Sequence, residues 1–227
     1  MNTAPAVNRM PGVSMKPPIA VMFDWCNTIV TETVNREAVA RIMRDMNIGD
    51  VDISEIPLAP LAAEKYLQLC LRNRWQDFKT KYKNAFGSWL GTLLPNRNVH
   101  ELLELLYKNN VRMGIVSNKR GTQLRDEVRS LGLTRYFSVI LGKGDTVESK
   151  PSPEPIFVAL ESMGIAPGER VFFVGDSATD VVSARRANCY PIAFANDSIK
   201  GVMSFPNFEN LGNFVAELLG QRLWNVT

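Results

Sequence analysis

Short, uninterrupted apolar runs alternate with helical stripes along most of this chain. Residues 19–23 read Ile-Ala-Val-Met-Phe and stop at Asp24. The pattern recurs at 111–116, stopping at Ser117 and Asn118, and at 137–141, stopping at Gly142. It recurs again at 171–174, stopping at Gly175 and Asp176, and at 191–194, stopping at Ala195 and Asn196. Apolar runs without polar alternation predict strands covered on both faces, as in a parallel sheet. Between them lie helical spacings: Val99, Leu102, Leu103, Leu105 and Leu106; Leu124, Val128 and Leu131; Ile156, Leu160 and Met163; Val181, Val182, Ala184 and Ala187. Strands alternating with helices predict an α/β fold, a doubly wound parallel sheet. Ligands in such sheets bind beyond the carboxyl ends of the strands, where Asp24, Ser117 and Asp176 fall.

Residues 34–97 break the alternation. Val39, Ile42, Met43 and Met46 form one helical stripe. Leu67, Leu71, Trp75, Phe78, Tyr82, Phe86 and Trp89 form a longer one, and Pro57 and Pro60 lie between the two. The expected organisation is a loose tail over 1–18, an α/β core from 19–33 and 98–220, a small α-helical cap over 34–97, and a C-terminal tail over 221–227. Aromatic residues at helical spacing predict a buried face, with Lys79, Lys81 and Lys83 on the solvated one.

Composition narrows the chemistry. The 227 residues carry 26 Lys and Arg against 23 Asp and Glu, a net charge of +3, too mild to imply a nucleic-acid or membrane partner. No apolar run approaches the roughly 18 residues of a membrane span. Three separated cysteines, Cys26, Cys70 and Cys189, exclude a disulfide framework and a zinc finger and fit a reducing, cytoplasmic setting. The single histidine, His100, leaves little room for Ser-His or Cys-His chemistry.

Four polar signals follow the strands in order: Asp24-Trp25-Cys26-Asn27-Thr28, then Ser117-Asn118-Lys119, then Lys150-Pro151, then Gly175-Asp176 with Asp180. Taken singly, Asp180 reads equally as a first-turn helix acid and Lys150 as a loop lysine. Together they resemble the haloacid dehalogenase superfamily, phosphatases of the phosphoglycolate-phosphatase type with a small helical cap in particular. The resemblance runs from about Ile19 to Gly220. It implies a Mg²⁺-dependent hydrolase of a small phosphorylated metabolite working through an aspartyl phosphate. By resemblance Asp24 is the nucleophile. The catalytic set is Asp24, Cys26, Ser117 and Lys150, and the phosphate-binding set is Thr28, Ser117, Asn118 and Lys150. The metal set is Asp24, the backbone carbonyl of Cys26, Asp176 and Asp180. The implied partner is the small phosphorylated metabolite alone, bound by a monomer or homodimer.

Cys26 departs from the pattern. The family's phosphatases carry a second aspartate there, which protonates the leaving group and then activates water. A thiol, with a reference pKa near about 8.5, is a poor substitute, and losing a general acid–base costs about 10²- to 10⁴-fold. Four readings follow: an engineered cysteine at position 26; a phosphatase that is slow or uses Cys26, a water or a cap residue in the aspartate's place; a binding or regulatory protein that keeps the pocket without turnover; or a hydrolase similar to the phosphonoacetaldehyde hydrolases. These last begin this motif with Asp-Trp, as Asp24 and Trp25 do here, and use a cap lysine as a Schiff base. Lys65, Lys79, Lys81 and Lys83 are the candidates for that lysine.

Overall fold

The computed structural model describes residues 15–86 and 91–221. Most of the expected N-terminal tail and nearly all of the C-terminal tail, with Trp89 of the cap stripe, lie outside them. The described chain divides into two compact units, residues 1–30 with 95–227, and residues 31–94.

The larger unit is built on a six-stranded parallel sheet of order β5-β4-β1-β6-β7-β8. Its strands are β1 (Ala20–Phe23), β4 (Arg112–Arg120), β5 (Val139–Lys143), β6 (Val171–Gly175), β7 (Tyr190–Phe194) and β8 (Met203–Phe205). The apolar runs become these strands because both faces are covered: every residue of β1 and of β6 is buried. Helices α4 (Val99–Lys108), α5 (Gly121–Ser130), α6 (Glu154–Ser162), α7 (Ala178–Arg186) and α8 (Phe208–Leu218) flank the sheet. Ile156, Ala159 and Leu160 of α6 and Ala184 of α7 pack with Ala20, Met22, Val171 and Phe173 in one continuous core.

β1 is central, with β4 on one side and β6 on the other. Phe23 is in register with both Ile115 and Val174, and the Asp24 N–H donates to the Val174 carbonyl at 2.9 Å. That register brings the carboxyl ends of three strands to one edge. β4 runs on to Arg120, past the expected stop at Ser117, with an irregularity in its pairing to β5 between Val116 and Arg120.

The smaller unit holds α1 (Arg36–Asp45), α2 (Pro60–Leu71) and α3 (Trp75–Phe86). The long aromatic stripe is two helices, not one: Arg72 takes a left-handed φ of 50°, and a single 3-10 turn separates α2 from α3. Val39, Ile42, Leu67, Leu71, Trp75, Phe78 and Tyr82 are buried together, so the stripe is a core face as far as Tyr82, while Phe86 is exposed because it is the last residue of α3, a turn beyond that core. The short strands β2 (Val30–Val34) and β3 (Gly91–Pro95) pair as a two-stranded sheet. No helix among the described residues is long and apolar enough to cross a membrane.

Candidate active site

The edge formed by β1, β4 and β6 opens into a cleft of about 540 Å³, lined by Asp24, Ser117, Lys150, Asp176 and Asp180 among others. At its base Lys150 is buried and its Nζ donates to Asp24 Oδ1 and to Asp180 Oδ1, each at 2.6 Å. Asp24 and Asp180 are buried as well. Burial by itself would hold the Lys150 ammonium below its ordinary value. The attraction of Asp24 and then of Asp180 outweighs it, and the net shift is upward. Asp24 moves up too, because burial and the Asp180 charge outweigh the Lys150 contribution.

Local sequence explains these placements. Asp180 is at the third position of α7, in a capping box with Ser177. Its Oδ2 accepts from the Ser177 N–H at 3.0 Å, while Oδ1 faces Lys150. The helix-acid reading and the site reading of Asp180 are therefore both true of one side chain. Gly175 permits this: a Cβ there would come within 2.5 Å of Asp180 Cγ. Lys150 is fixed from behind, where Asn118 Nδ2 donates to its carbonyl at 3.0 Å and Ser183 Oγ donates to the Ser152 carbonyl at 2.7 Å. Asp176 is only partly buried, and its backbone carbonyl accepts from Asn196 Nδ2 at 2.7 Å. Burial and then the Asp180 charge raise its pKa.

Carboxylate oxygens of Asp24, Asp176 and Asp180 lie within 4.8 Å of one another. Three acids face one buried ammonium, and every donor is a hard oxygen. That composition, with two acids held above their ordinary pKa, fits a divalent cation of the Mg²⁺ type.

Ser117 is buried within β4, three residues before its end, and lines the cleft, and its Oγ accepts from the Lys119 N–H at 3.3 Å. Cys26 lines the cleft and is half-buried. Asn118 lines it too, and one of its two amide hydrogens goes to the Lys150 carbonyl. Thr28 is the exception among the expected phosphate ligands. It is fully buried, is not among the cleft-lining residues, and its hydroxyl has no hydrogen-bond partner. Its backbone shapes the turn instead: its N–H donates to the Trp25 carbonyl at 3.3 Å, and its carbonyl accepts from Asn96 Nδ2 at 2.6 Å.

Sequence reasoning missed Glu127. This α5 residue accepts from the Trp25 indole N–H at 2.8 Å, from Lys119 Nζ at 2.7 Å on both oxygens, and from Gln123 Nε2 at 2.9 Å. Glu127 lies 102 residues from Trp25, and no local spacing signals that contact. The Schiff-base candidates show no desolvated lysine. Lys65, Lys81 and Lys83 are exposed, and Lys79 is ion-paired with Glu64 at 3.0 Å.

The family model for haloacid dehalogenase-like hydrolases matches residues 21–194. A solved HAD-superfamily hydrolase from Ehrlichia chaffeensis superposes with a TM-score of 0.65 at 38% sequence identity, covering 91% of this chain and 100% of that one. The phosphoglycolate phosphatase of Photorhabdus laumondii is 39% identical over 84 residues, 37% of this chain and 36% of its own length. Pyrophosphatase PpaX of Oceanobacillus iheyensis is 36% identical over 98 residues, 43% of this chain and 45% of its own. These two matches span less than half the length of the curated relatives. With the family model covering most of its length and a solved relative covering it nearly end to end, the chain belongs to the haloacid dehalogenase-like hydrolase family.

Proposed function

We propose that this protein hydrolyses a small phosphorylated metabolite, a phosphate monoester, through an aspartyl phosphate on Asp24. The observation that carries the reading is the buried triad in which one ammonium holds two carboxylates at 2.6 Å, beside a third acid at the mouth of an open cleft. Phosphoryl transfer needs a nucleophile, donors for the equatorial oxygens and neutralised charge. Asp24 attacks phosphorus: an Asp24 O–P bond forms as the ester P–O bond breaks, and the leaving oxygen takes up a proton. Lys150 and the Ser117 hydroxyl donate to the phosphoryl oxygens. Water then attacks the acyl phosphate, returning the Asp24 carboxylate and inorganic phosphate. Asp24, the Cys26 carbonyl, Asp176 and Asp180 would hold Mg²⁺. The ion supplies charge neutralisation at the phosphate.

Cys26 limits the rate on this reading. Among the described residues lining the cleft there is no histidine and no carboxylate beyond Asp24, Asp176 and Asp180. The proton for the leaving oxygen then comes from the thiol, from water or from a residue of the cap. The same observation favours a second reading, a phosphate-binding regulatory protein without turnover. A Schiff-base hydrolase is less well supported, because such a lysine needs desolvation to lower its pKa and the cap candidates are exposed or paired. Cysteines outside disulfides fit a reducing, cytoplasmic setting. The test is phosphate release from a panel of phosphate esters with Mg²⁺, for this protein and for Asp24→Asn. Turnover lost in Asp24→Asn supports the hydrolase. Phosphate binding without turnover in the unsubstituted protein supports the second reading.

A further inference from the structure

We propose that Glu127 is a positioning residue of the hydrolytic site, tying the nucleophile loop to the phosphate-binding loop. The proposal rests on the hydrolase reading above and adds a residue that lies outside all four sequence motifs. Trp25 stands between Asp24 and Cys26, and its side chain is completely buried. Its carbonyl accepts from the Thr28 and Val30 N–H groups, at 3.3 and 3.1 Å, so Trp25 is the pivot of the turn that aims Asp24. A buried indole N–H needs an acceptor, and here the acceptor is Glu127 Oε2 at 2.8 Å.

A backbone carbonyl would satisfy that N–H equally well. A carboxylate does something further: it also binds Lys119 through both oxygens at 2.7 Å, with side-chain exposures of only 13% for Lys119 and 18% for Glu127. Lys119 is two residues beyond Ser117, and its own N–H donates to Ser117 Oγ. Gln123, one turn before Glu127 on α5, supplies the remaining donor at 2.9 Å. One carboxylate thus fixes the indole beside the nucleophile and the lysine beside the phosphate-binding serine. Charge-assisted bonds of this kind are the stronger class and restrict geometry. The ion pair also commits the charge of Lys119 to Glu127 instead of leaving it loose in the cleft.

Two substitutions separate positioning from bulk stability. Trp25→Phe removes only the N–H and part of the ring. Glu127→Gln keeps an oxygen for the indole and loses the ion pair. The first readout is the alkylation rate of Cys26 by iodoacetamide under native conditions, resolved by peptide mass spectrometry. Cys70, in the smaller unit, and buried Cys189 serve as internal references. We expect Cys26 to react about tenfold faster in each variant while Cys70 and Cys189 keep their rates. The second readout is steady-state hydrolysis, where a small misplacement of reacting groups is costly. We expect kcat to fall about tenfold or more with KM within twofold, and the double variant to be no worse than Glu127→Gln alone. Unchanged Cys26 labelling, or faster labelling with unchanged kcat, overturns the proposal. A rise at all three cysteines also overturns it, since that marks general loosening. Asp24→Asn runs alongside: if it turns over like the unsubstituted protein, the hydrolase reading fails, and the labelling still decides whether Glu127 holds the loop.

Discussion

Lys150 hydrogen-bonds two acids that would otherwise repel one another, and for Asp176 its attraction is outweighed by burial and a like charge. Its pKa is raised by burial and by the neighbouring Asp180 charge. A carboxyl raised in the fold favours the native state below its unfolded pKa, and that contribution is lost as pH rises towards the folded value. At neutral pH, without a cation, the ionised Asp176 therefore costs stability. Asp176→Asn should raise the melting temperature in EDTA and abolish the further rise that MgCl₂ gives the unsubstituted protein. Thermal unfolding with and without Mg²⁺ measures both. A melting temperature that falls in EDTA and still responds fully to Mg²⁺ would remove Asp176 from the metal set. Cys26 was legible from the sequence as a departure, and the described residues lining the cleft add no acid beyond Asp24, Asp176 and Asp180. Thr28 stands among the expected phosphate ligands; its backbone bonds hold the turn after Asp24, and its hydroxyl is buried apart from the described cleft lining.

Secondary-structure elements bring these residues together, so the element scale has its own tests. Gly175 closes β6, where a Cβ would collide with the Asp180 side chain at 2.5 to 2.6 Å. Gly175→Ala should push Asp180 off Lys150 and lower kcat about 10²-fold, the scale of a misplaced reacting group. A kinetic comparison with the unsubstituted protein reads this directly, and an unchanged kcat would show that the Asp180 contact is dispensable. Beside the site, Asp145 accepts from the Gly142 N–H at 2.8 Å and from Arg125 at 2.6 Å, tying the end of β5 to α5. The Arg125 hydrogen bond holds the Asp145 carboxyl below its usual range. A depressed carboxyl contributes stability above its unfolded pKa, and that contribution disappears as pH falls through the folded value. The pair is partly exposed, so the term is at most about 1 kcal/mol. Asp145→Asn should lower the melting temperature near pH 7 and converge with the unsubstituted protein as pH falls below the ordinary carboxylate range. A constant offset across that range would contradict the assignment.

Five of the six sheet strands were legible as apolar runs, most plainly β1 and β6, which are buried throughout and have no polar alternation to confuse the reading. β8 has three residues, too few for any period. The break at Arg72 was hidden because the apolar spacing continues across it while the backbone does not. Glu127 was invisible for a different reason: on α5 it reads as an ordinary solvated helix position, and its partner comes from another strand end.

At the scale of the whole molecule, the chemistry of the proposed reaction is concentrated in the larger unit. Asp24, Ser117, Lys150 and Asp176 come from its strands and the loops beyond them, and Asp180 from the first turn of α7. The smaller unit has its own core around Leu67, Trp75 and Phe78. The α/β class follows from the larger unit, and the family model spans both units. The activity depends on whether that scaffold still turns over with a thiol where the resemblance places a carboxylate. Phosphate release with Mg²⁺, measured on the unsubstituted protein, Asp24→Asn and Cys26→Asp side by side, tests this most directly. We predict slow metal-dependent release by the unsubstituted protein, none by Asp24→Asn, and a rate about 10²-fold higher for Cys26→Asp. Release by Asp24→Asn at the rate of the unsubstituted protein would contradict the account.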